Sequence, residues 1–137
     1  MKVKGISLIR QAVVLSGFAI MSTSVVAQVI VPTKLSGRWT SPDGAQSQAI
    51  STNIDPATSK GTLTVWANKP ACTIHGAAIT VTLDGEKLIL KVDPSYVNSC
   101  RSDVSVVLIK KSGSDDYEGE LHQKGLVYDI LQVKMSP

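Results

Sequence analysis

The sequence predicts an all-β domain, an antiparallel up-and-down meander of about eight strands closing into a barrel, with a β-sandwich as the alternative. Three observations carry this expectation. After residue 27 no stretch keeps the spacing of an amphipathic helix. Apolar and polar residues alternate in short runs instead, as half-buried strands require. Turn chemistry separates these runs roughly every eight to twelve residues, the pattern of a sandwich or barrel.

The first 27 residues stand apart. Lys2, Lys4 and Arg10 form a positive start, Ala12 to Ile20 is apolar apart from Ser16 and Gly17, and Val25-Val26-Ala27 supplies small or medium residues for a cleavage site. That is the layout of a secretory signal cut between Ala27 and Gln28. The apolar run is shorter than the roughly 20 residues of a membrane-spanning helix, and Ser22, Thr23 and Ser24 interrupt its end. The expected organisation is a signal peptide over 1–27, an extended segment over 28–34 and a single β-barrel domain over 35–137. No membrane insertion is expected once the signal is removed.

The strands follow in order from the turns. Leu35–Thr40 is closed by Pro42-Asp43-Gly44. Gln46–Ile54 ends at Asp55-Pro56, and Thr62–Ala67 follows Lys60-Gly61. Ile74–Leu83 meets Glu86–Val92 across Asp84-Gly85. A two-residue turn there pairs Val81 with Leu88 and Ile79 with Leu90. Ile79, Val81, Leu83, Leu88, Leu90 and Val92 then share one apolar face, while Thr80, Thr82, Lys87, Ile89 and Lys91 take the wetter one. The loop Asp93–Arg101 precedes the strands Asp103–Lys111, Tyr117–His122 and Leu126–Met135.

For the last hairpin a three-residue loop at Gln123-Lys124-Gly125 is preferred. It pairs Leu121 with Val127 and Tyr117 with Leu131, and leaves Glu118, Glu120 and His122 outside. The alternative register sets Glu120 opposite Asp129, a like-charge pair that costs stability. The preferred register turns Asp129 inward opposite Gly119, and an inward carboxylate needs a partner or water.

Charge and cysteines narrow the function classes. The whole chain has 14 basic and 11 acidic residues, but three of the basic ones lie in residues 1–27. The remaining 110 residues carry 11 of each sign. The apparent basicity belongs to the leader and is no footprint for nucleic acid. The exported part also lacks several aromatics interleaved with basic residues. Cys72 and Cys100 are the two cysteines, and in an oxidising compartment an isolated pair reads as a disulfide. Closing that loop stabilises the fold by roughly 3 to 4 kcal/mol on the chain-entropy model.

Catalytic signals are missing. His75 and His122 sit in no recognisable motif, and no Gly-x-Ser-x-Gly elbow or phosphate-cradling glycine loop occurs. Asp115, Asp116, Glu118 and Glu120 with His122 resemble a metal site, but they read better as a solvated turn and the outer face of a strand. No enzyme activity, cofactor or metal is expected. Binding is what remains. Trp39 and Trp66 fall on the first and third predicted strands, where they either pack as core or sit near the mouth of a barrel. Tyr117 and the inward Asp129 complete the candidate ligand-binding set. The small residues Gly76, Ala77, Ala78 and Gly119 leave room inside, although glycines also relieve strand bends.

The run Leu35-Ser36-Gly37-Arg38-Trp39-Thr40 resembles the Gly-x-Trp first strand of the calycin superfamily, which comprises lipocalins, avidins and related barrels. The resemblance implies a small ligand-binding barrel. Gln28–Lys34 ahead of Leu35 resembles the extended N-terminal segment of small periplasmic inhibitors of bacterial metalloproteases, also calycin-like. The run from Asp116-Tyr117 to Gly125-Leu126-Val127 is loosely similar as well. That second resemblance implies a segment that enters a protease cleft.

The expected function is therefore a non-enzymatic, periplasmic or secreted binding module holding a small apolar ligand. An enzyme inhibitor acting through Gln28–Lys34 or the Asp93–Arg101 loop is the alternative, and a structural envelope domain the third class. The partner is an unidentified small ligand or protein.

Overall fold

The computed structural model describes residues 30–125 and 127–137. The signal peptide expected over 1–27, and Gln28 and Val29 of the expected extended segment, lie outside the described residues. The described residues form eight strands: β1 (Lys34–Thr40), β2 (Ser47–Asp55), β3 (Lys60–Val65), β4 (Ile74–Asp84), β5 (Lys87–Val92), β6 (Ser102–Lys110), β7 (Tyr117–Lys124) and β8 (Ile130–Ser136). Each pairs antiparallel with the next, and β8 returns to β1 to close a barrel in sequence order. The meander forms, not the sandwich. A single 3₁₀ turn, Pro70–Cys72, interrupts the β3–β4 connection.

Alternation explains what fills it. Leu35, Ile50, Leu63, Ile74, Leu90, Leu108, Leu121 and Leu131 point inward and are almost completely buried. The interior of an eight-stranded barrel is just wide enough for such side chains to meet. Each contributes roughly 1.5–3 kcal/mol by leaving water. These side chains fill the barrel along its axis.

Two hairpin registers differ from the sequence expectation, and both differ by an even number. In β4–β5 the turn is Gly85-Glu86, so Val81 pairs with Leu90 and Ile79 with Val92. Gly85 adopts φ +62°, the left-handed conformation that tight hairpin turns demand at this position. In β7–β8, Leu121 pairs with Leu131 and Tyr117 with Met135. An even shift keeps every side chain on its expected face, so Leu131 and Val133 remain inside. Asp129 does not: it lies exposed in the β7–β8 loop, and Val133 stands opposite Gly119. The hairpin opens early because the Gln123 N–H donates to the Asp129 carbonyl (2.9 Å) and Gln123 Nε2 to the Tyr128 carbonyl (3.0 Å). Those bonds hold a wide loop where a tight one was expected.

Glycine placement shapes the wall. A Cβ at Gly37 would fall 1.8 Å from the Lys134 carbonyl oxygen, and one at Gly119 1.8 Å from that of Val107. Gly119 therefore leaves no room for a ligand; a neighbouring backbone already occupies the space. Strands bend closest to each other at such sites, as barrel closure requires. Gly76 is different: it has φ +54° and nothing within 4 Å of a Cβ.

Gly119→Ala is expected to cost about 2–3 kcal/mol or more, because a backbone must move. Gly76→Ala should cost about 1 kcal/mol, from its positive φ alone. Urea denaturation of the two variants checks this, and equal losses would refute close strand approach as the reason for Gly119.

Candidate functional site

In a meander, alternate loops gather at each end. The β1–β2, β3–β4, β5–β6 and β7–β8 loops share one end. At the other end lie the remaining turns and the segment before β1, where Val31 packs on the core and the Thr33 carbonyl accepts from Ile54 N–H at 2.8 Å. The two segments suggested for enzyme inhibition, the N-terminal one and Asp93–Arg101, thus belong to opposite ends.

Each loop of the first end is built by its own polar side chains. Asp43 Oδ1 accepts from Ala45 N–H (2.9 Å) and from the Ser41 hydroxyl (2.7 Å), which fixes the β1–β2 turn. Asn98 Oδ1 accepts from Cys100 N–H (2.9 Å) and Arg101 N–H (3.2 Å). Its Nδ2 donates across to the Thr73 carbonyl (3.1 Å). The Cys72–Cys100 disulfide forms as expected and joins the same two loops covalently. On the other side of the rim, the Tyr128 hydroxyl donates to Asp43 Oδ2 at 2.6 Å, 85 residues away in sequence. Two cross-braces therefore hold four loops.

They surround a cavity of about 420 Å³ whose walls include Trp39, Gln46, Cys72, Arg101, Gln123, Tyr128 and Leu131. Trp39 is 3% exposed, and its indole N–H donates to the Trp66 carbonyl at 2.7 Å. That bond satisfies a buried donor and locks the ring.

Arg101 is the unusual group. It is only 4% exposed, and its guanidinium carbon lies 5.9 Å from the centroid of the Trp39 ring. No acidic side chain among the described residues pairs with it. Its Nε and Nη1 have no hydrogen-bond partner among the described residues, and neither does Gln123 Oε1. Burial pushes its pKa down to about 10, which still leaves it charged at neutral pH.

A bulge explains the orientation. The β6–β7 register shifts between Ser102 and Ser105, and Asp103 adopts φ +51°. Ser102 and Asp103 both face solvent, while Arg101 and Val104 on either side both face in. The extra residue re-aims Arg101 into the cavity, a common use of bulges.

The expected site residues are dispersed. Trp39 lines the cavity. Trp66 lies just beyond β3, 40% exposed at the same end. Tyr117 is buried at the opposite end, at the start of β7, its hydroxyl pKa raised first by burial and then by Asp115. Asp129 is at the cavity end, but its side chain is exposed and is no part of the wall. Arg101 and Gln123 were missed. The one sequence signal for Arg101 is the consecutive polar pair Ser102-Asp103 ahead of Val104-x-Val106-x-Leu108, which breaks alternation as a bulge does. On the outer face, His122 Nε2 stands 3.1 Å from Glu120 Oε1, and among the described residues no three potential ligands gather as a metal site.

The Asp43–Tyr128 brace is pH-sensitive. The hydrogen bond from Tyr128, then that from Ser41, lowers the Asp43 pKa to about 2. A depressed carboxyl contributes stability above its unfolded value, near 4, and loses it as pH falls toward 2. The same bond raises the pKa of Tyr128, whose contribution holds below about pH 10 and fades above it. The Asp43 carboxyl carbon, followed by NMR, should titrate near 2 in the wild type. In Tyr128→Phe the midpoint should rise part of the way toward 4, since Ser41 and Ala45 still donate. An unmoved midpoint would show that the brace does not form in solution.

Compared with known proteins, the chain matches no family model, no curated protein and no solved structure.

Proposed function

We propose that this chain is an exported, non-catalytic binding protein with a calycin-like barrel, and that it takes a small molecule with an apolar body at its loop-bearing end. The cavity floored by Trp39 is the observation that carries the reading. About 420 Å³ falls within the range of small-molecule sites. Trp39 and Leu131 give an apolar floor, Gln123 and Arg101 a few convergent polar groups, and the disulfide and Asn98 a rigid support. This is the balance expected of a ligand site. The ligand sits in an end cup, not within the packed axis. Tyr117 has no part in it.

Export is supported by the leader-like first 27 residues and by a disulfide, which persists in oxidising compartments. A periplasmic or secreted location follows. Among the described residues, no helix is long and apolar enough to cross a membrane.

One observation favours enzyme inhibition as a second reading. Val97, 88% exposed, crowns the Asp93–Arg101 loop beside the disulfide, as an inserting tip would. The N-terminal segment offers less, because Val31 and Thr33 are engaged by the barrel itself.

The neutral fluorophore N-phenyl-1-naphthylamine tests the first reading. It should quench tryptophan emission on titration into the wild-type protein and fail to do so in Ala67→Trp, which fills the cup from the β3–β4 loop. Circular dichroism melting confirms that the variant is folded. Absence of binding to the wild type, or equal binding to a folded Ala67→Trp, would overturn the reading.

A further inference from the structure

Resting on that reading, we propose that the natural occupant of the end cavity bears a carboxylate, and that Arg101 is its counter-charge.

The argument starts from what a guanidinium requires. It carries five N–H donors in a planar fork and cannot shed its charge in a protein. Arginines are almost never fully buried without a partner. Here the side chain is 4% exposed, yet two of its nitrogens bond to nothing among the described residues. The Trp39 ring stabilises the cation from one face but takes none of its in-plane hydrogens. The buried positive charge is therefore offset in part, and two of its three nitrogens are unmet.

The protein has gone out of its way to create this situation. Alternation along β6 would have turned residue 102 inward and left Arg101 in water. A bulge with a non-glycine residue at positive φ reverses that. Strained backbone beside a cavity is a recurrent sign of a functional group being aimed. The neighbouring chain is tailored too, since a Cβ at Gly125 would approach the Cys100 carbonyl oxygen to 3.0 Å.

The unmet atoms define the ligand. The outer edge of the fork, to which the unmet Nη1 belongs, matches the two oxygens of a carboxylate at the spacing that makes such pairs bidentate. A monoanion suits a single buried cation. The cavity's second cation, Lys69, lies exposed at the rim. Gln123, whose Oε1 is also orphaned, lines the same cavity and calls for a hydroxyl or N–H elsewhere on the ligand. Trp39 and Leu131 accept the apolar body. The ligand class is a small amphipathic carboxylic acid.

The test uses the mature protein with its disulfide intact and four probes of one chain length: octanoate, octanol, octylamine and octyl phosphate. Each is measured by displacement of N-phenyl-1-naphthylamine at neutral pH. Octanoate should bind at least about tenfold more tightly than octanol, as expected of one charge-assisted hydrogen-bonded pair. Octylamine should bind weakest. In Arg101→Met the octanoate preference over octanol, read by calorimetry, should vanish. Arg101→Lys should keep only part of the preference, because a point charge replaces the fork. Arg101→Met should melt no lower than the wild type, since an apolar chain of similar length replaces an unpaired buried charge.

Fluorophore binding without an octanoate preference would overturn the carboxylate and leave the cavity reading standing. So would a preference that survives in Arg101→Met. Octyl phosphate binding more tightly than octanoate would replace the carboxylate with a phosphate monoester. A large loss of melting temperature in Arg101→Met would make Arg101 a structural plug and overturn the proposal. Failure of every probe, the neutral fluorophore included, would remove the cavity reading as well.

Discussion

Everything in this protein depends on the seam between its first and last strands. Gly37 pairs with Met135 and Trp39 with Val133, and that contact turns a row of strands into a ring. A ring has no free edge, so no strand can slip without moving its neighbours. Where β1 and β8 come closest, the Lys134 carbonyl oxygen takes the position that a side chain at residue 37 would need. Gly37 is therefore the condition for closure, and closure fixes where the next inward residue of β1, Trp39, must stand. The short motif at the start of the domain is thus a joint as well as a floor for the cavity.

The loop end reflects the same constraint. With the ring fixed, four loops project from fixed roots, and each needs little extra ordering to meet its neighbour. A disulfide and an asparagine secure one side, and a tyrosine–aspartate pair secures the other. None of these contacts contributes much to the core. They act on the rim, which is where a small packed barrel has space for anything besides itself. The inhibitor reading draws on this end too, through Val97, whereas the N-terminal segment is tied to the far side of the barrel.

Alternation and turn chemistry were enough to read the meander, the barrel and the disulfide, because these follow from patterns of period two and from two cysteines. Faces were read correctly even where registers were not, as Val81 and Leu131 illustrate, since even shifts preserve them. Asp129 was misplaced for a local reason: one main-chain and one side-chain bond from Gln123 hold open a loop that turn preferences would have closed. Tyr117 and Trp39 both read as inward residues, yet nothing in a linear pattern says which end of a strand meets which loops. Arg101 was hidden most thoroughly. Its burial depends on one extra residue in a ladder, and an arginine beside a cysteine in a polar loop carries no sign that it will be turned inward.

The up-and-down topology also settles the traffic of the chain. The backbone joins the barrel at the start of β1 and leaves it at the end of β8, side by side, with Ser36 opposite Ser136. Both points are on the end away from the cavity. Anything attached there, whether a surface, a reporter or a further domain, hangs from the base of the cup and leaves its rim open. The chain's entry into β1 and its exit from β8 are also close enough for a short peptide to join them. A circular permutant could then be opened in the β2–β3 turn at Ala57-Thr58, with the cavity end untouched.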